Sequence, residues 1–211
     1  MTKITEAMKW RYAVTKFDTT KKLTSEQIDE IMEAAILTPS AFGLQPWRFI
    51  VVTNPEIRKQ LQEAGYNQPK ISEASHLVVL AVEKNIDDKL VDAFIDLVSK
   101  VRGMDVGSLK GYSDMIKGSL VGKSTEQRIE WATKQVYIAL GVIITTASSM
   151  EIDSAPMEGF DPKKFDEILG LEKMGLESKV AVALGFRSAD DASAGYAKVR
   201  YPKEKVILEV K

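Results

Sequence analysis

The sequence predicts one α+β domain spanning residues 1–211. Three observations carry that expectation. Helices opened by capping signals mix along the chain with short apolar runs that read as buried strands. The 211 residues, 45% hydrophobic and 28% charged, suffice for a sizeable core. No linker, repeat or low-complexity stretch interrupts the pattern.

Thr24-Ser25-Glu26-Gln27 has the capping-box pattern, and Ile28, Ile31, Met32, Ala35 and Ile36 recur behind it at helical spacing until Pro39. Trp47 to Thr53 reads as a strand. Asn54-Pro55 supplies an N-cap and a proline at the first helical position, opening a helix to Gly65. His76 to Val82 is continuously apolar, a strand buried on both faces. Leu90, Phe94, Leu97 and Val101 mark a helix that Gly103 terminates. Residues 103–123, dotted with glycine, read as a mobile excursion with one short helical piece. Ser124-Thr125-Glu126-Gln127 is a second capping box and opens the longest helix, to about Met150. The second half of that helix is apolar nearly all round, which suits a core or an oligomer interface. Asp161-Pro162 opens a helix with Phe165, Ile168 and Leu169 on its buried face and Gly170 at its end. Val180 to Phe186 is a third buried strand, and Lys205 to Lys211 alternates as an edge strand able to reach another subunit.

Composition removes whole classes of chemistry. Lys+Arg number 29 against 30 Asp+Glu, a net charge of −1, so no global basic field attracts nucleic acid or an anionic membrane. The chain has no cysteine and one histidine, His76, which excludes disulfides, thiolate nucleophiles and Cys/His zinc sites. No metal site is expected. His76 enters an apolar strand and reads as a hydrogen-bonded core residue rather than a catalytic one. Met1 to Lys16 carries no targeting signal, and the longest apolar stretch, Val136 to Ile144, is far short of the ~20 residues of a membrane span, so a cytoplasmic protein is expected. Gly118 to Ser124 resembles a phosphate-binding loop but is one residue short and follows no strand, and Ser124 is better read as a helix cap. No G-x-G-x-x-G follows a strand, so no Rossmann dinucleotide site is expected. An enzyme with this inventory borrows its chemistry from a cofactor.

Three segments place polar groups where packing alone does not ask for them: Lys9 to Phe17, Thr38 to Trp47, and Lys198-Val199-Arg200-Tyr201-Pro202. With Tyr66 to Lys70, Glu73 to His76, Trp131 to Tyr137 and Asp153 to Phe160, they resemble the FMN-dependent nitroreductase family. Specifically, they resemble the branch containing the oxygen-insensitive NAD(P)H nitroreductases and dihydropteridine reductase. The resemblance runs in order from about residue 4 to 203. Any one of these segments is weakly diagnostic; their joint order and spacing carry the likeness.

The resemblance implies a nitroreductase-like fold: a central mixed, mostly antiparallel sheet flanked by helices, in an intertwined homodimer with the C-terminal segment exchanged and the FMN sites at the subunit interface. It implies tightly, non-covalently bound FMN and NADH or NADPH as reductant. Hydride transfer through flavin N5 to a nitroaromatic, quinone or related electron-poor acceptor would then be ping-pong. Arg11 matches the arginine on the FMN phosphate, and Lys198 and Arg200 match its basic partners, with Tyr12 and Ala13 in the same cofactor-binding segment. Ser40 and Gln45 match the cofactor-binding loop, and Asn67 an amide near the polar edge of the ring. Lys70 matches the lysine beside N1 and O2, where it tunes the ring; no side chain is implied as catalytic. Pro156, Met157, Glu158 and Gly159 match the segment along the back of the ring. Phe42 and Tyr112 fall at the substrate pocket, Tyr112 as an aromatic gate. Ala13 stands where relatives usually have serine and Thr15 where they often have a basic residue, so the phosphate would depend more on Arg11, Lys198 and Arg200; Lys16 should point elsewhere. A reductive dehalogenase or flavin-fragmenting relative, or a non-catalytic flavin-binding protein, remains the alternative.

Overall fold

Local signals open most elements. The computed structural model describes residues 2–210. Thr2 accepts a hydrogen bond from the Thr5 amide and caps α1 (Lys3–Trp10), a helix that the sequence reading does not contain. The Thr24 capping box forms in full and opens α2 (Ser25–Ile36). A loop with a 3-10 turn at Ala41–Gly43 leads to β1 (Trp47–Val52). Asn54 caps α3 (Pro55–Ala64). At Gly65 a Cβ would lie 2.2 Å from the end of the Ile71 side chain, so a larger residue there would have to displace it. Tyr66 and Asn67 follow with φ near +57° and lead into α4 (Lys70–Glu73).

β2 (His76–Glu83) leads to α5 (Asp88–Arg102), which ends at Gly103 in the left-handed conformation as the sequence predicts. The next stretch corrects the expectation of an irregular excursion. A 3-10 turn at Val106–Leu109 runs into α6 (Lys110–Leu120), an 11-residue helix. Leu109, Ile116 and Leu120 bury one face, while Gly111 and Gly118 look onto open space, so the glycines lower helix propensity without breaking the apolar register. α7 (Thr125–Ser149) opens on its capping box at Ser124, which the P-loop-like stretch serves as a cap.

β3 (Asp153–Met157) is a strand the sequence reading left unassigned, because Pro156 argues against one; it lies at the sheet edge, where a missing N–H is tolerated. α8 (Pro162–Leu169) ends at Gly170, and β4 (Leu176–Gly185) completes the sheet. The C-terminal expectation also needs correction. Lys203–Val206 forms a one-turn helix, α9, and residues 207–210 have no regular structure; Lys211 lies outside the described residues. Lys205 to Val210 pair with no strand among the described residues, and these side chains stay exposed.

The sheet order is β1-β2-β4-β3, antiparallel throughout. Ala13 adds an isolated parallel bridge to Ser154 of β3. β2 is buried on both faces, as its continuous apolar run requires. Val78, Leu80 and Val82 pack in the cluster that includes α2, α5, α6 and α7, whereas Leu77 and Val79 pack in the one that includes α3 and α8. His76 is half-buried and hydrogen-bonds Ser75 through Nδ1 at 2.9 Å. α7 buries Val136, Ala139, Leu140, Ile143 and Ala147 but leaves Tyr137 and Ile138 exposed. Its all-round apolarity is therefore not consumed inside one chain. No helix of the described residues is long and apolar enough to cross a membrane.

Candidate functional site

The two ends of the chain meet at β3. α1 stops at Trp10, and Arg11 turns to extended backbone. The bridge from Ala13 to Ser154 lays this segment beside the sheet edge. After β4 the chain returns to the same place, so that Arg11, Tyr12, Ala13, Pro156, Lys198 and Arg200 line one cleft of about 510 Å³. All six are residues the sequence assigns to the cofactor.

Electrostatically this cleft is an incomplete site. None of its lining residues is a carboxylate. Burial and the neighbouring Arg200 push the Arg11 pKa down; burial, Arg11 and Arg200 do the same to Lys198. The Arg11 Nε is buried without a hydrogen-bond acceptor. The Lys198 ammonium donates to the backbone carbonyls of Met8 and Arg11, and Arg200 Nη1 donates to the Val199 carbonyl at 2.6 Å. Neutral carbonyls orient these cations but cancel no charge. The nearby acid Asp153 is occupied: Arg187 Nη2 reaches it at 2.6 Å and the Arg187 amide at 2.8 Å. The Arg187 guanidinium in turn lies over Trp10 and Tyr12, 4.3 and 4.6 Å from the ring centroids. Partly desolvated like charges without a counter-ion are unfavourable unless an anion joins them. A phosphate, with roughly −1.5 to −2 charge and oxygens that accept a guanidinium fork, fits this donor set.

A second group of predicted residues lies beside Pro156. Gln68 Nε2 donates to the Gly65 and Gly159 carbonyls at 2.9 and 2.6 Å, fixing the Asn67–Lys70 turn against Met157, Glu158 and Gly159. The Tyr137 hydroxyl donates to Glu158 at 2.6 Å, and burial together with that carboxylate raises its pKa to about 12. Lys70 is half-buried, and burial lowers its pKa. The Asn67 side chain is exposed.

Ser40 and Gln45 do not line the cleft. Their polar groups bind their own loop: Ser40 Oγ accepts from the Gln45 amide at 3.0 Å, and Gln45 Nε2 donates to the Ile36 carbonyl at 2.6 Å. The buried Gln135 accepts from the Ala41 amide at 2.9 Å. These bonds hold Phe42 and Gln45 at φ +60° and +47°, left-handed conformations that cost non-glycine residues about 1–2 kcal/mol each. Phe42 and Tyr112, the two predicted substrate-pocket residues, are brought together. The Tyr112 hydroxyl donates to the Phe42 carbonyl at 2.6 Å, and both line a smaller apolar cleft of about 270 Å³ with Phe94, Leu97 and Val101.

Sequence reasoning missed the wall formed by Ser193, Ala194, Tyr196 and Ala197, and the acid that anchors it, Asp191. The available signal was Asp191 at an N-cap position, accepting from the Ser193 amide to start the 3-10 turn Ala192–Gly195. Thr15, where a basic residue was noted as absent, donates through its hydroxyl to Asp191 at 2.7 Å. Lys16 points elsewhere, as expected, and pairs with Asp190 at 3.3 Å.

Comparisons with known proteins show the family and the fold. The oxygen-insensitive NAD(P)H nitroreductase of Salmonella typhimurium is 32% identical over 95% of this chain and 96% of its own length. Two solved structures share the fold at lower identity. A nitroreductase-like protein of Streptococcus mutans has a TM-score of 0.83 at 20% identity, covering 98% of each chain. A protein of Exiguobacterium sibiricum solved in complex with FMN has a TM-score of 0.83 at 22% identity, covering 100% of this chain and 98% of that one. The family model described as "Nitroreductase family" matches residues 8–186. With the fold, the family model and this relative in agreement, the chain belongs to the nitroreductase family of oxidoreductases.

Proposed function

We propose that the whole chain is one FMN-binding unit and acts as an NAD(P)H-dependent oxidoreductase on nitroaromatics, quinones or related electron-poor acceptors. The observation that carries this reading is the convergence of Arg11, Lys198 and Arg200 on one cleft that lines no carboxylate and leaves Arg11 Nε without an acceptor. Arg11 would grip the phosphate as a fork, with Lys198 and Arg200 completing its neutralisation. Lys70, half-desolvated, would supply a positive charge that favours an anionic ring, and the Met157–Gly159 segment would help hold the ring. When bound, FMN supplies the two-electron redox chemistry between NAD(P)H and the acceptor. The protein orients both reactants over one face in turn, which gives ping-pong kinetics.

The functional unit in this reading is a homodimer. Tyr137 and Ile138 on α7, together with Val199, Tyr201, Leu208 and Val210 in the tail, are exposed apolar residues suited to a second copy. The Ser40–Gln45 loop, turned away from its own chain's cleft, would then serve the site of the partner. The test is anaerobic reduction of the purified protein with NADH and with NADPH. Flavin absorbance should bleach and recover on adding menadione or a nitroarene. A colourless protein that refuses added FMN overturns the reading, and stoichiometric FMN without turnover favours a non-catalytic flavin protein.

A further inference from the structure

We propose that Asp191 is the positioning residue of the cationic cleft: its carboxylate clasps Tyr12–Lys16 to the start of the tail and thereby sets Lys198 and Arg200 against Arg11. The inference rests on the reading of that cleft as a phosphate site. Five donors converge on this one carboxylate. The Tyr12 hydroxyl (3.1 Å), the Thr15 amide (2.9 Å) and the Lys16 amide (3.2 Å) reach Oδ2. The Thr15 hydroxyl (2.7 Å) and the Ser193 amide (3.0 Å) reach Oδ1. Four of the five come from the N-terminal segment, 175 to 179 residues away in sequence.

Position in the chain makes this contact consequential. Asp191 is 4% exposed, and from Ala192 to Val210 no described residue is buried. The tail that carries Ser193, Tyr196, Lys198 and Arg200 into the cleft therefore leaves the folded body at Asp191. Two carboxylate oxygens offer about four lone-pair sites, and five donors saturate them. Burial alone would raise the Asp191 pKa, but the hydrogen bonds from Thr15, Ser193 and Lys16 hold it to about 2, so the clasp is ionised at neutral pH. Thr15, rather than a lysine or arginine, suits this arrangement because its short hydroxyl donates to the clasp and leaves the cleft free.

The test compares FMN with riboflavin, which lacks only the phosphate. Dissociation constants for both are measured by flavin fluorescence on the wild-type protein, Asp191→Asn and Thr15→Val. In Asp191→Asn, an amide faces donors that need an acceptor, and FMN affinity should fall at least tenfold while riboflavin affinity changes less than twofold. Thr15→Val, which removes one donor, should show the same selectivity at about threefold, and it carries the test alone where Asp191→Asn does not fold. Equal losses for both flavins, or no loss for either, overturn the clasp as a positioning device. A wild-type protein that binds the two flavins equally overturns the phosphate reading itself, and the clasp with it.

Discussion

The cationic cleft and the Ser40–Gln45 loop are both assigned to the cofactor by sequence resemblance, yet they orient their polar groups in opposite ways. In the cleft, charges from residues 11, 198 and 200 converge on open space, and Arg11 Nε has no acceptor. In the loop, the Ser40 hydroxyl and the Gln45 amide are spent on the loop's own backbone, and Phe42 is held left-handed at its tip. The first is a site nearly complete in one chain. The second is a loop whose polar groups are satisfied internally. The difference teaches that a cluster of like charges announces an anion site within one chain, whereas a loop that satisfies its own polar groups announces no ligand.

The comparison is broken most strongly at the cleft. Lys198→Ala combined with Arg200→Ala removes two charge-assisted contacts of about 1.5–3 kcal/mol each, so FMN affinity should fall a hundredfold or more in a fluorescence titration. The loop side is tested by Ile138→Glu, which places a charge on the uncovered face of α7. Analytical ultracentrifugation should show the mass halved. The monomer should keep its preference for FMN over riboflavin, since the cations are its own, but bind both more weakly as the partner's loop is lost. An unchanged dimer contradicts that interface.

Acidification should act on the cleft and spare the loop. The Asp191 carboxyl is held below its unfolded value of about 4, so its contribution is complete above that pH and is lost as pH falls toward 2. The loss is about 2 kcal/mol by linkage, read as a drop in denaturant midpoint that Asp191→Asn should not show over that window. The smallest effect belongs to Ser40→Ala, which leaves the Gln45 amide without its acceptor and should cost about 1 kcal/mol of stability. Its effect on FMN affinity should be tenfold or less, and a larger loss would mean that the hydroxyl reaches the cofactor directly.

Much of the fold was legible because its signals are local. Capping boxes at Thr24 and Ser124, the Asn54-Pro55 start and the glycine stops at Gly103 and Gly170 fixed helices without reference to the rest of the chain. Two of the misses depended on distant partners. β3 is a strand because β4 pairs with it despite Pro156, and residues 205–210 are not one because they pair with no strand among the described residues. α6 was obscured by glycines whose neighbours are open space. In the site, charged residues that converge were visible through resemblance, since their type states their chemistry. Asp191 was not, because an acidic pair, Asp190-Asp191, followed by small residues looks like any turn until Thr15 and Tyr12 are seen to close on it.

The central claim is that cations from both chain ends hold the phosphate of FMN. It is tested most directly by titrating the flavin-free wild-type protein with FMN and with riboflavin. The account predicts that FMN binds at least a hundredfold more tightly and that the difference collapses in the Lys198→Ala, Arg200→Ala protein. Equal affinity for the two flavins in the wild-type protein would contradict it.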